Sequence, residues 1–175
     1  MGFNTEWFLK VNGLVGKNKW LDAFGRAGAE WVIIAMVLWL VASSVVVNQP
    51  SERAIIWPII ILGSSWSLGW IINLLIGMAV KEPRPHLKHP ESNLLFRPLM
   101  SWKSFPSDHA MAAFLILFTA LNFNLPLAWS LLPLALWVGW GRVYSGVHYP
   151  LDIVGGAAVA GLVTLLIHYL LRIFV

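Results

Sequence analysis

Residues 54–79 read AIIWPIIILGSSWSLGWIINLLIGMA, a stretch with no charged side chain and with apolar residues on every side of a helix. A run of this length crosses the ~30 Å hydrocarbon core of a bilayer with some tilt. The stretch therefore decides the fold class: an all-α integral membrane protein. Upstream, Ala29 to Val47 forms a preceding span closed by Asn48-Gln49-Pro50, so the two runs make a helical hairpin. Downstream, a third span runs from near Ser107 to about Leu121, and Asn122-Phe123-Asn124-Leu125-Pro126 reverses the chain into a fourth span that ends at Trp140. A last helix starts at Pro150, whose missing N–H costs nothing at the first helical position, and continues to about Phe174. The expectation is a bundle of about five transmembrane helices.

Composition agrees. Of 175 residues, 58% are hydrophobic and 11% charged, with a mean hydropathy of +0.73; soluble domains approach a quarter charged. Eleven tryptophans suit belts at headgroup level. The chain has no cysteine, which excludes a disulfide, a thiolate nucleophile and a thiolate metal site. The net charge of +4 suits an anionic partner, and in a membrane protein lipid headgroups are nearer than nucleic acid, for which no basic and aromatic motif is present. In Met1 to Trp20, Glu6, Lys10, Lys17 and Lys19 break any apolar core, so the segment is expected to stay in the mature protein rather than act as a signal peptide. Its Phe3, Trp7, Phe8, Val11, Leu14 and Val15 recur at near-helical spacing and predict an amphipathic helix on the membrane surface. No repeat or linker divides the chain, so residues 1–175 read as one domain.

Three polar islands interrupt the apolar pattern: Arg84-Pro85, Phe105-Pro106-Ser107-Asp108-His109, and Gly141 to Asp152. Ionisable residues beside a bilayer are costly and mark function by default. The second-to-third and fourth-to-fifth connections share one side of the membrane, so the islands can converge. Together they supply what phosphate-ester hydrolysis needs without a metal. Arg84 and Arg142 offer forked donors that match phosphate and stay charged. Ser107 stands at a helix start, where its hydroxyl and free backbone N–H groups can hold an anion. Asp152 lies four residues after His148, with Pro150 starting a helix between them, so the carboxylate can fold back onto the imidazole and fix its tautomer. His109 is then available to protonate a leaving oxygen.

These islands resemble the motifs of the type 2 phosphatidic acid phosphatases: Lys-x6-Arg-Pro, then Pro-Ser-Gly-His, then Ser-Arg-x5-His-x3-Asp. The resemblance covers most of the chain. It implies His148 as a nucleophile forming a phosphohistidine, Asp152 as its orienting partner, His109 as general acid, and Arg84, Ser107 and Arg142 as phosphate ligands, with no cofactor. Three positions depart from the pattern. The lysine falls at Gly77; either Lys81 replaces it from one turn later or the arginines suffice. Gly141 replaces the serine before Arg142. Asp108 replaces the motif glycine, where it would repel phosphate unless it pairs with Lys103 or Arg84, and it is the candidate for a preference for diphosphates.

Ser104-Phe105-Pro106-Ser107-Asp108-His109, with Glu82-Pro83-Arg84-Pro85 and His148-Tyr149-Pro150-Leu151-Asp152, looks most like the bacterial undecaprenyl-diphosphate phosphatases of the bacitracin-resistance type. That branch implies a polyprenyl diphosphate lipid substrate and a site on the extracytoplasmic face of the inner membrane. Other branches take phosphatidylglycerol phosphate, phosphatidic acid or the 1-phosphate of lipid A.

Blander explanations exist for each residue alone: histidines satisfied at helix ends, arginines snorkelling to headgroups, and Asp152 complementing a helix dipole. The paired motifs favour catalysis. His86, His89 and His168 read as structural, and a zinc site from His86, His89 and Glu91 lacks a recognised ligand spacing. Asn73, Ser64, Ser65 and Ser67 read as bridges between helices. A non-catalytic lipid-binding or transport subunit needs only the positive loop and would tolerate loss of either histidine; the repeats and broken helices of transporters are not visible. A literal positive-inside count opposes the resemblance. Lys10, Lys17, Lys19, Arg26, Lys81, Arg84, Lys88, Arg97, Lys103 and Arg142 fall on the site face, against Arg53 and Arg172 on the other.

Overall fold

The computed structural model describes residues 2–47, 52–98 and 100–174, and among them the chain is helical with no strand. The elements are α1 (Phe3–Asn12), α2 (Lys19–Glu30), α3 (Val32–Val47), α4 (Glu52–Val80), a single turn α5 (Pro85–Lys88), α6 (Asp108–Asn122), α7 (Leu131–Tyr144) and α8 (Pro150–Phe174). A short 3-10 turn, Ala128–Ser130, leads into α7. The reversal expected at Asn48-Gln49-Pro50 lies outside the described residues.

Helices α4 and α8, of 29 and 25 residues, are long and apolar enough to cross a bilayer alone. A third crossing is available if α2 and α3 are taken as one span bent by 51°. Helices α6 and α7 have 15 and 14 residues, short of the ~20 that a full crossing needs. The number of apolar helices among the described residues is roughly that of the expected bundle, with α6 and α7 its short members. Helix α6 is the central helix, packed on α8, α7, α4 and α3. Its buried Ala113, Ile116, Leu117 and Ala120 meet Met36 and Leu40 of α3 and Leu131, Ala135 and Val138 of α7. On its other side Met111 and Leu115 meet Val159, Ala160 and Val163 of α8. The outer surfaces of α4 and α8 stay exposed and apolar, through Ile59, Ile60, Ile71 and Leu75 on one and Leu162, Leu165 and Leu170 on the other. A continuous apolar exterior of this kind belongs in lipid.

Two boundaries differ from the sequence reading, and both affect the site. The predicted N-terminal helix is α1, which ends at Asn12, and a second helix, α2, follows it. In α1, Phe8 and Asn12 are buried. Asn12 donates to the carbonyls of Asn93 and Tyr144 at 2.7 and 2.8 Å and accepts from Asn93 N at 2.7 Å, clamping the 81–107 loop to the end of α7. Phe8 packs edge-on against Tyr149, 5.4 Å between ring centroids. Second, α7 does not stop at Trp140. It continues to Tyr144, which puts Gly141 and Arg142 in its last turn rather than in a loop.

Candidate active site

The C-terminal ends of α4 and α7 and the N-terminal ends of α6 and α8 meet at one end of the bundle. The backbone itself joins them: Ser107 N donates to Asp152 O at 3.0 Å. All three polar islands reach this junction.

His148 lies in the turn between α7 and α8 and is 3% exposed. Its Nδ1 is 3.2 Å from Asp152 Oδ2 and its Nε2 is 3.3 Å from Arg84 Nη1. An arginine can only donate, so Nε2 is the accepting nitrogen and Nδ1 carries the proton toward the carboxylate. Asp152 is the third residue of α8. Its Oδ2 also accepts from Tyr149 N, the residue before the helix, at 2.8 Å. This is one half of a capping box, so the carboxylate that orients the imidazole also closes the helix start. Ser104 adds a further contact the sequence reading had not assigned: its hydroxyl, fully buried, donates to Asp152 Oδ2 at 2.5 Å. Burial, reinforced by Arg84 and Arg142, lowers the His148 pKa well below the ordinary 6.5, leaving the imidazole neutral.

Arg84 and Arg142 are each 4% exposed. Arg84 donates to Val147 O at 2.8 Å, and Arg142 donates to Ala29 O at 3.3 Å with its guanidinium 5.3 Å from the Phe96 ring centroid. Among the described residues neither is paired with a carboxylate, and the Nε of each is buried without a partner. Burial pulls the Arg84 pKa below its ordinary value, opposed by Asp108 and Asp152. Both arginines, with Asp108, His109 and His148, line a cavity of about 530 Å³. Its apolar lining comes from Trp31 and Ile33 at the α2 and α3 bend, Trp66 and Trp70 of α4, and Phe96, Pro98 and Met100 of the loop. Arg97 lines it too.

The structure brings His148, Asp152, His109, Arg84, Arg142 and Asp108 together. Two other candidates stand apart from the cavity. Ser107 is fully buried as the N-cap of α6, its hydroxyl accepting from Ala110 N at 3.4 Å. It shapes the helix that carries His109 and does not line the cavity. Lys81 is exposed just beyond α4, in the left-handed region at φ 54, and also lies off the cavity. The buried amine near the site is Lys103 instead. Its Nζ is 2.9 Å from both carboxylate oxygens of Asp108, so the pairing that would relieve Asp108 is present. Asn73 Nδ2 donates to Asp108 Oδ1 at 2.9 Å, bridging α4 to α6. Among the described residues no group of three or more His, Asp or Glu side chains is placed to hold a metal ion, and His89 packs near Phe8 and Tyr149.

The model of the PAP2 superfamily matches residues 58–174, from within α4 to the end of α8. The chain belongs to the PAP2 superfamily. Its relatives include a Bacillus subtilis protein named undecaprenyl-diphosphatase BcrC, 33% identical over 157 residues and covering 90% of this chain and 78% of the relative. A Bacillus licheniformis protein named bacitracin transport permease protein BcrC is 28% identical, covering 95% of this chain and 79% of its own. Among solved structures, LpxE of Aquifex aeolicus superposes with a TM-score of 0.69 at 26% identity, covering 95% of this chain and 94% of that one.

As a PAP2 protein, the chain explains one departure from the motifs in physical terms. A Cβ at position 141 would come within 2.6 Å of Ala29 N and 2.7 Å of Gly25 O. The α2 backbone therefore occupies the space a serine would need. The PAP2 match begins after α2 and α3, yet Glu30, Trp31 and Ile33 complete the cavity wall.

Proposed function

We propose that this PAP2 protein removes the terminal phosphate of an undecaprenyl-type polyprenyl diphosphate, without a metal, through a phosphohistidine at His148, on the extracytoplasmic face of a bacterial plasma membrane. One observation carries the reading: two buried guanidinium groups, with no carboxylate partner among the described residues, share a cavity with a neutral, carboxylate-oriented histidine. An anion is the partner such arginines lack. The apolar Trp66 and Trp70 wall suits the start of a lipid tail. The name of the Bacillus subtilis relative and the wording of the three motifs support the polyprenyl diphosphate among lipid phosphates.

In the proposed reaction Arg84 and Arg142 hold the non-bridging oxygens of the terminal phosphate, where charge concentrates in phosphoryl transfer. The Nε2 lone pair of His148 attacks phosphorus while the bond to the bridging oxygen breaks. His109, which must be protonated in the substrate complex where the bound phosphate's negative charge favours its cation, gives that oxygen its proton, and the polyprenyl monophosphate leaves. Asp152 stabilises the imidazolium by accepting from Nδ1–H. His109 next takes a proton from water, the hydroxyl attacks the phosphohistidine, the P–N bond breaks, and inorganic phosphate leaves with His148 neutral again.

The test is phosphate release by purified, detergent-solubilised protein in EDTA, with polyprenyl diphosphate, phosphatidylglycerol phosphate and phosphatidic acid as substrates. The expected result is preference for the diphosphate, undiminished by EDTA and lost in His148→Ala. Activity that survives in His148→Ala removes the nucleophile. A protein that binds the lipid, releases no phosphate and tolerates the substitution is the lipid-binding or transport subunit instead. Since the chain has no cysteine, Lys88→Cys in the site loop reports the face: labelling of intact cells by an impermeant maleimide is expected, and protection until lysis reverses the orientation.

A further inference from the structure

Nothing in that mechanism uses Lys103, yet its side chain is among the most enclosed in the protein, at 1% exposure. An ammonium is buried at such cost only when it is paired and hydrogen-bonded. Lys103 reaches both oxygens of Asp108 at 2.9 Å, with Pro106 O at 3.5 Å. Its stem crosses α4 at Gly77, where an added Cβ would lie 2.5 Å from Lys103 Cδ. A glycine at this point of α4 is what lets the lysine through. One turn earlier on α4, Asn73 fixes the same carboxylate from a second side. The object of these contacts is a carboxylate in the wall of the phosphate cavity, one residue from His109. Left uncompensated there, Asp108 would repel the substrate's own charge.

We propose that Lys103 is a positioning residue of the phosphate site: reaching across Gly77, it holds Asp108 in place and cancels its charge, so that a carboxylate can stand in the cavity wall without excluding phosphate. The inference rests on the phosphatase reading above. Lys103 thereby acts on substrate through Asp108, and the room it uses is the room that α4 leaves by carrying no side chain at position 77.

The experiment compares Lys103→Met, Asp108→Asn and the double variant in the full-length protein. It reads KM and kcat for polyprenyl diphosphate, the Kd of inorganic phosphate by calorimetry, and Tm. Lys103→Met is expected to raise KM and the phosphate Kd by roughly tenfold or more, the scale of one uncompensated charge nearby, with kcat changed far less. The double variant, whose pair is neutral, is expected to recover most of that loss. Asp108→Asn alone, with the lysine unopposed, is expected to bind phosphate at least as tightly as the wild type. A double variant as impaired as Lys103→Met overturns the proposal, because Lys103 then serves phosphate directly. A lowered Tm with KM and Kd unmoved also overturns it, leaving a structural brace. If Lys103→Met does not fold, Asp108→Asn decides, and weaker phosphate binding by it counts against the proposal. A wild type that binds phosphate but releases none from lipid would instead refute the phosphatase reading, separately from these ratios.

Discussion

His148 sits in a site that keeps it unprotonated, and this fixes the sign of a pH effect. Its pKa lies well below 6.5 because burial and then Arg84 and Arg142 disfavour the cation. Attack requires the neutral imidazole, so protonation of His148 removes activity only as pH falls through that lowered value. The acid limb of kcat/KM, which reports free-enzyme groups, is therefore expected below pH 6.5, measured on a soluble short-chain substrate. An acid limb at or above 6.5 would mean that the imidazole is not shielded as described. Ser104→Ala removes a hydrogen bond to the Asp152 carboxylate, an interaction worth about 1–3 kcal/mol. The expected outcome is a kcat lower by ~10-fold with KM little changed, since Ser104 does not line the cavity. The His148 and Asp152 relation was legible because four residues and a proline fix it locally. Ser104 was not, because its contact spans 48 residues and depends on the path of the 81–107 loop. Lys103 was legible only as one option for Asp108, since nothing in a linear reading shows that Gly77 leaves it a channel.

At the scale of elements, the seam between α2 and α7 determines where Arg142 stands. Arg142 is held from α2 by Ala29 O, and Gly141 beside it touches the α2 backbone. Gly141→Ser would restore the serine of the family motif and yet is expected to harm this protein. The new Cβ meets backbone atoms that cannot rotate away, and overpacking of this kind costs about 1–3 kcal/mol. A lower Tm, with a raised KM as Arg142 shifts, is the expected reading from thermal unfolding and steady-state kinetics. A serine accommodated without change in either would show that the seam is looser than its close approach implies. The start of α8 at Pro150 and the capped start of α6 at Ser107 were readable because proline and serine state those positions chemically. The end of α7 was not: the polar character of Gly141 and Arg142 looks like a loop until α2 is seen to cover the glycine. In the same way, α1 itself was readable from its apolar spacing, whereas the loop that Asn12 clamps was not.

Across the whole molecule, the cavity joins two environments. Arg84, Arg142 and His148 line it together with tryptophans, of which Trp66 is 48% exposed. A site built this way would hold the headgroup at its arginines while the tail stays beside α4 in the bilayer, so lipid need not leave the membrane to be hydrolysed. This separates the residues that govern chemistry from those that govern tail recognition. Trp66→Ala is therefore expected to raise KM for a long-chain polyprenyl diphosphate by roughly tenfold, the scale of losing one large aromatic contact with the tail. It is expected to leave kcat, and both constants for a short water-soluble prenyl diphosphate, within about twofold, because Trp66 stands away from the reacting atoms. The comparison of the two chain lengths in one detergent carries the result. Equal losses on both would mean that Trp66 supports the fold of the phosphate site, and the tail would then have to follow a path other than the α4 wall.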